Sequence, residues 1–123
     1  MQRIVKKGEI KIINDFKKKI QKIKTARKDA RSMILEKKHS MALSKQNEVI
    51  SLLNKPDFIE LKKAFGLAML EIKKRIIENS LEEHFPEIMN YDFAYDPESS
   101  LQQLNKIEAE IKSTNSILDI QLT

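Results

Sequence analysis

The chain has 123 residues, 41% of them hydrophobic and 33% charged, with no cysteine and a formal net charge of +5. That length suits one domain with a single modest core, and the missing cysteines exclude disulfides, thiolate metal sites and cysteine catalysis. No stretch approaches the ~20 apolar residues of a membrane span, and residues 1–7 are basic without the apolar segment of a secretory signal, so a cytoplasmic protein with no membrane contact is expected.

Only 2 Gly and 3 Pro are present, and Lys, Ile, Leu and Glu dominate, which favours helix over sheet. The spacing predicts a first long helix from about Glu9 to His39. Ile13, Phe16, Ile20, Ile23, Ala30, Ile34 and Met41 occupy the first and fourth places of a seven-residue repeat. Arg27 and Lys37 interrupt the repeat, while Ile12, Ala26 and Met33 widen it. A coiled-coil seam fits the spacing, and the two charged positions weaken it. Ser40 or Ser44 caps a continuation through Val49, Ile50, Leu52 and Leu53, as one bent helix or as two. Asn54-Lys55-Pro56 ends it, because a residue before proline leaves helical geometry.

Asp57-Phe58-Ile59-Glu60 reads as a capping box for a central helix over 57–79. Phe58, Leu61, Phe65, Ala68, Ile72 and Ile76 share one face of it, and Leu70 and Ile77 extend that surface, so this helix is expected to be the most buried. Gly66 interrupts its middle at a cost of about 1 kcal/mol relative to Ala, and a close helix crossing is the expected reason. Ser80-Leu81-Glu82-Glu83 is a second capping box, opening a short helix that Pro86 stops. Residues 86–96 read as an ordered loop. Asp96-Pro97-Glu98 starts the last helix, with Pro at its first position and acids near the positive dipole end. Leu101, Leu104, Ile107, Ile111, Leu118 and Leu122 continue its stripe, although residues 118–122 also alternate like a strand. The chain thus divides into a basic helical segment (residues 1–54), a central helix (57–79), an acidic aromatic loop (80–96) and a C-terminal helix (97–123). The fold class is all-α, a small helical bundle.

Charge is strongly segregated. Residues 1–63 hold 18 Lys+Arg against 7 Asp+Glu, and residues 64–123 hold 5 against 11. In the first helix Lys17, Lys24, Arg31 and Lys38 recur every seven residues, and Lys11, Lys18 and Lys28 broaden the basic surface. These seven are the candidate contacts for an anionic partner, nucleic acid or an acidic protein; the alternative is a solvated helix face. Lys outnumbers Arg, and no aromatic residue interleaves the basic ones, so any nucleic-acid contact is expected on the backbone rather than the bases.

From Ile76 to Asn105 there is no Lys or Arg, and this stretch carries Phe85, Tyr91, Phe93 and Tyr95 among acids. Tyr91, Phe93 and Tyr95 are candidate protein contacts, steered by the neighbouring charges. The competing reading is that these rings plug the chain's own core. Ile20 and Ile23 are candidate protein contacts on the first helix, where a second copy would cover whatever stripe the other helices leave open.

Catalytic chemistry finds no support. Glu36-Lys37-Lys38-His39 has the Glu-x-x-His spacing of di-iron bundles, but those need the motif twice, and His84 has Leu81 three residues before it. No activated nucleophile, phosphate-binding Gly-rich loop or acid/base pair is recognisable. The expectation is a non-enzymatic interaction or assembly module, self-associating as a homo-oligomer, without cofactor, metal or small-molecule substrate. A nucleic-acid-binding accessory protein using residues 11–38 is the alternative.

Overall fold

A computed structural model describes residues 4–91 and 97–121, with side chains for residues 4–91 and 100–113. The elements are α1 (Lys7–Leu35), α2 (His39–Asn54), α3 (Pro56–Glu78), a 3₁₀ turn (Glu82–His84), α4 (Pro86–Met89) and α5 (Pro97–Gln121). The fold is all-α, and no strand occurs among the described residues. Residues 118–121 are helical, so the strand-like alternation there loses to the continuing helix; Leu122 lies outside the described residues.

α1 begins where the Lys6 backbone N–H donates to Glu9 Oε1 at 2.9 Å, a local cap for one of the unpaired donors of the first turn. It stops at Leu35, earlier than the expected His39. Lys37 takes the left-handed φ of 60°, and the Lys38 N–H closes the reversal by donating to the Met33 carbonyl at 2.8 Å. α2 is therefore a separate helix that folds back along the second half of α1. Ala30 and Ile34 of α1 line one shallow groove with Val49 and Ile50 of α2.

Lys55 alone separates α2 from α3, in extended geometry (φ −61°, ψ 133°). α3 starts at Pro56 rather than on a cap at Asp57. Proline's missing N–H costs nothing at a first helical position and its φ is already helical, while Asp57 still sits in the first turn near the positive dipole end. At the other end Ser80 does not open a helix. It takes φ 54°, and Leu81 N–H returns to the Ile76 carbonyl at 2.9 Å, a closing turn of α3. The short helix expected after Ser80 shrinks to the 3₁₀ turn Glu82–His84, which ends before Pro86, and Pro86 then starts α4. The Glu110 carboxylate of α5 takes the role of its cap, accepting the Glu87 N–H at 2.8 Å and the Ile88 N–H at 3.2 Å.

The core gathers the first half of α1 with α3, α4 and α5. Ile13, Phe16, Ile20 and Ile23 meet Phe58, Phe65, Met69, Ile72 and Ile76, with Phe85, Ile88, Leu104, Ile107 and Ile111 closing the far side. Leu61 packs against this cluster half-buried. Phe16 lies between Phe58 and Phe65, and Glu9 pairs with Arg75, so α1 and α3 run antiparallel. The strap before α1 is pinned too: Ile4 and Val5 are buried, and Arg75 Nη1 donates to the Ile4 carbonyl at 2.9 Å.

α3 differs from its expected role in one respect. Its inner face is buried apart from half-buried Leu61, but Leu70 and Ile77 do not extend that face; they are 60% and 54% exposed. At 100° per residue they lie across the helix from Phe65 and Ile72. Gly66 is not at a helix crossing either, since a Cβ built there meets nothing within 4 Å.

Candidate functional site

The outer face of α3 is the site that this packing creates. Ile59, Leu67, Leu70 and Ile77 all face solvent, Leu67 at 66%. They recur over 18 residues, a stripe of ~27 Å at 1.5 Å per residue. Where α3 meets the end of α2, the stripe deepens into an open groove of about 820 Å³. Leu53 of α2 and Phe58, Ile59, Leu67 and Leu70 of α3 supply its apolar lining. Lys62 and Lys63 are the charged residues of that lining, and half-buried Gly66 completes it. On the other side of Phe58, Lys19, Lys22 and Lys55 border a small cleft with Ile23 and Leu52.

A second exposed apolar cluster lies at the far end of the α1–α2 pair. Ile34 and Met41 are open, as are Leu43 and Ile50, and Leu35 reaches 85% exposure. The repeat of α1 therefore does outrun its cover, but only beyond Ala30.

The sequence-predicted protein contacts fall elsewhere. Ile20 and Ile23 are 2% and 1% exposed, covered by the chain's own helices. They belong to the core and present no surface to a partner. Tyr91 is buried as well, its ring meeting Phe65 edge-on at 5.6 Å and 74°. It plugs the core together with Phe85, and is not a surface anchor. Phe93 and Tyr95 lie outside the described residues.

The basic candidates share a helix but not a single face. Lys11, Lys18, Lys28 and Arg31 are exposed on α1, and Lys17 and Lys24 are half-buried; by helical geometry the six spread over nearly half the circumference. Lys38 lies past the end of α1, where its ammonium meets Glu36 at 3.1 Å. Lys17 is bound to Glu108 of α5, which also accepts Lys112 at 3.1 Å. Hydrogen bonds from Lys17 and Lys112 hold the Glu108 carboxyl below its ordinary range. Some of the charge segregation is thus consumed inside the fold. The Glu9–Arg75 pair, with Arg75 Nη2 2.8 Å from Glu9 Oε2, joins the minority charge of each half and consumes none of that segregation. Among the described residues no three His, Asp or Glu side chains gather as metal ligands, and no helix is long and apolar enough to cross a membrane.

Sequence reasoning missed the outer stripe because α3 is apolar on two sides. The available signal was Ile59 and Leu67, which fit neither the Phe58–Phe65–Ile72 face nor a polar surface. Comparison of the chain with protein-family models, with curated proteins and with solved structures finds no match.

Proposed function

We propose that this chain is a helical protein-interaction module that docks a partner protein on the outer face of α3. The observation that carries this reading is the stripe of Ile59, Leu67, Leu70 and Ile77, left open on a helix whose inner face is already packed. A soluble helix that needs only one apolar face places charge on the other, and contiguous exposed apolar side chains mark partner sites. Ile20 and Ile23 are committed to the core, so self-association of this chain would have to use the open cluster around Ile34, Leu35 and Met41 rather than the middle of α1; for the stripe on α3 we take a different protein as the partner. The test is co-purification from the source cells with the parent chain and with the Leu67→Asp/Leu70→Asp variant. Both positions are exposed, so the variant keeps its helical circular dichroism and loses the partner. A partner retained by the variant, or none recovered by the parent, overturns the reading.

A second reading has one specific support, the exposed Lys11, Lys18 and Lys28 on α1. Under it the chain grips nucleic-acid phosphates without reading sequence. Binding to a nonspecific oligonucleotide that falls steeply with salt, and weakens when these three become Ala, would favour it. No binding at low salt retires it.

A further inference from the structure

The groove at the joint of α2 and α3 has three properties that together describe its occupant. Its lining is apolar at Leu53, Ile59, Leu67 and Leu70, and both charged side chains that line it, Lys62 and Lys63, are basic. Gly66 stands in it with open space above the α-carbon. A glycine inside a helix costs stability and permits close approach of another backbone. Nothing among the described residues makes that approach.

We infer that this groove receives an amphipathic helix of a partner protein, apolar on the face it buries and acidic along its flanks. The inference rests on the docking-module reading above and names the partner's chemistry. Ile59, Lys63, Gly66 and Leu70 follow one another at spacings of four, three and four, so the groove runs along α3 with ridges that a second helix can fit. Gly66 lets the two helix axes come close at the crossing. Lys63 pairs with an acid on the incoming helix, and Lys62 with Lys19, Lys22 and Lys55 around Phe58 extends the same positive field. Of the exposed carboxylates of α3, Glu60, Glu71 and Glu78 lie on the far flank of its stripe by helical geometry and Asp57 lies across the helix from Ile59.

A second copy of the chain is a poor occupant. A two-fold pair presents the same patch from both sides. α3 facing α3 sets Lys63 and Lys74, both on the outer stripe, into a seam with the same residues of the other copy. The stripe of α1 as far as Ala30, and that of α5 from Leu101 to Ile111, are already buried in the core, and the open cluster around Ile34 and Ile50 is lined by Arg27 and Arg31, basic like the groove itself.

The experiment uses the full chain against a displayed library of 18-residue helical peptides. Leu is fixed at the stripe positions, and the flanks are randomised among Glu, Lys and Gln. Selection is expected to enrich Glu over Lys at the flanks. The Gly66→Leu protein puts a side chain into the groove where a Cβ has room; with its helical circular dichroism unchanged, it should bind the selected peptides roughly tenfold or more weaker. Lys62→Glu/Lys63→Glu should reverse the flank preference. Enrichment of Lys, binding that survives Gly66→Leu, no enriched helix, or a dimer in sedimentation that Gly66→Leu dissolves would each overturn the inference. The co-purification with Leu67→Asp/Leu70→Asp is scored separately, so the docking reading can stand when this assignment of the groove fails.

Discussion

The ring of Phe16 stacks on the ring of Phe65 with centroids 4.3 Å apart and planes 13° from parallel. This contact joins the first and third helices at the middle of the core. Phe58 stacks on the other side of Phe16 at 6.0 Å, and Tyr91 meets Phe65 edge-on. Phe65 is fully buried, so Phe65→Ala removes a core side chain that Phe16 and Tyr91 both contact. The expected loss is ~3–5 kcal/mol, the range for a buried Phe truncated to Ala. Denaturant unfolding followed by helical circular dichroism measures it, and a loss below about 1 kcal/mol would contradict the packing described.

Gly66→Ala should have the opposite sign. The added methyl meets no atom of the chain within 4 Å, and Ala is the better helix former by about 1 kcal/mol. Unfolding under the same conditions should show a gain near that size. A loss instead would mean that some segment of the chain does approach α3 at this point.

The Glu9–Arg75 pair gives the stability a definite pH dependence. Burial pushes the Glu9 carboxyl up, but hydrogen bonds from Arg75 and the Lys6 N–H, with the charge of Arg75, hold it below its ordinary value of 4.5. A carboxyl depressed in the folded state stabilises fully above the unfolded value, and that contribution is lost as pH falls through the folded value. Glu9→Gln should therefore be less stable by about 2 kcal/mol at neutral pH, the scale of a charged hydrogen-bonded contact. The gap to the parent protein should narrow below about pH 4.5, as Glu9 itself becomes neutral. A gap that stays constant down to about pH 2 would show that the charge of Glu9 does not contribute.

Glu110 tests the cap of α4. Burial and the neighbouring Glu87 charge push its carboxyl up, against the hydrogen bonds it accepts from the Glu87 and Ile88 amides. With its pKa raised in the folded state, this group favours folding more as pH falls, the reverse of Glu9. Glu110→Ala leaves both amides without their acceptor. Hydrogen exchange at Glu87 and Ile88 should quicken, while amides in the middle of α1 keep their protection. Unchanged exchange at those two amides would remove Glu110 from the role of cap.

Periodicity was enough to make the chain all-α. The three- and four-residue apolar spacing of α1 and α5 required helices, and Asn54-Lys55-Pro56 required a break, because local geometry decides both. The buried set of Ile13, Phe16, Ile20, Ile23, Phe58, Phe65 and Ile72 follows from the same spacing. The ends of α3 were less legible. Asp57 and Ser80 are residue types that cap helices and also make turns, and the choice falls to the neighbouring backbone: Pro56 takes the first helical position, and Ser80 adopts the left-handed turn that ends the helix.

Which apolar face is covered was decided only by the tertiary structure. A helical stripe identifies residues that share a side, and says nothing about what lies across from them. On α1 the stripe carrying Ile20 and Ile23 found its cover inside the chain. On α3 two apolar sides competed for one core, and the side with five large residues, Phe58, Phe65, Met69, Ile72 and Ile76, took it. Ile59, Leu67, Leu70 and Ile77 were left outside, because none of the other described helices reaches around α3 to enclose them.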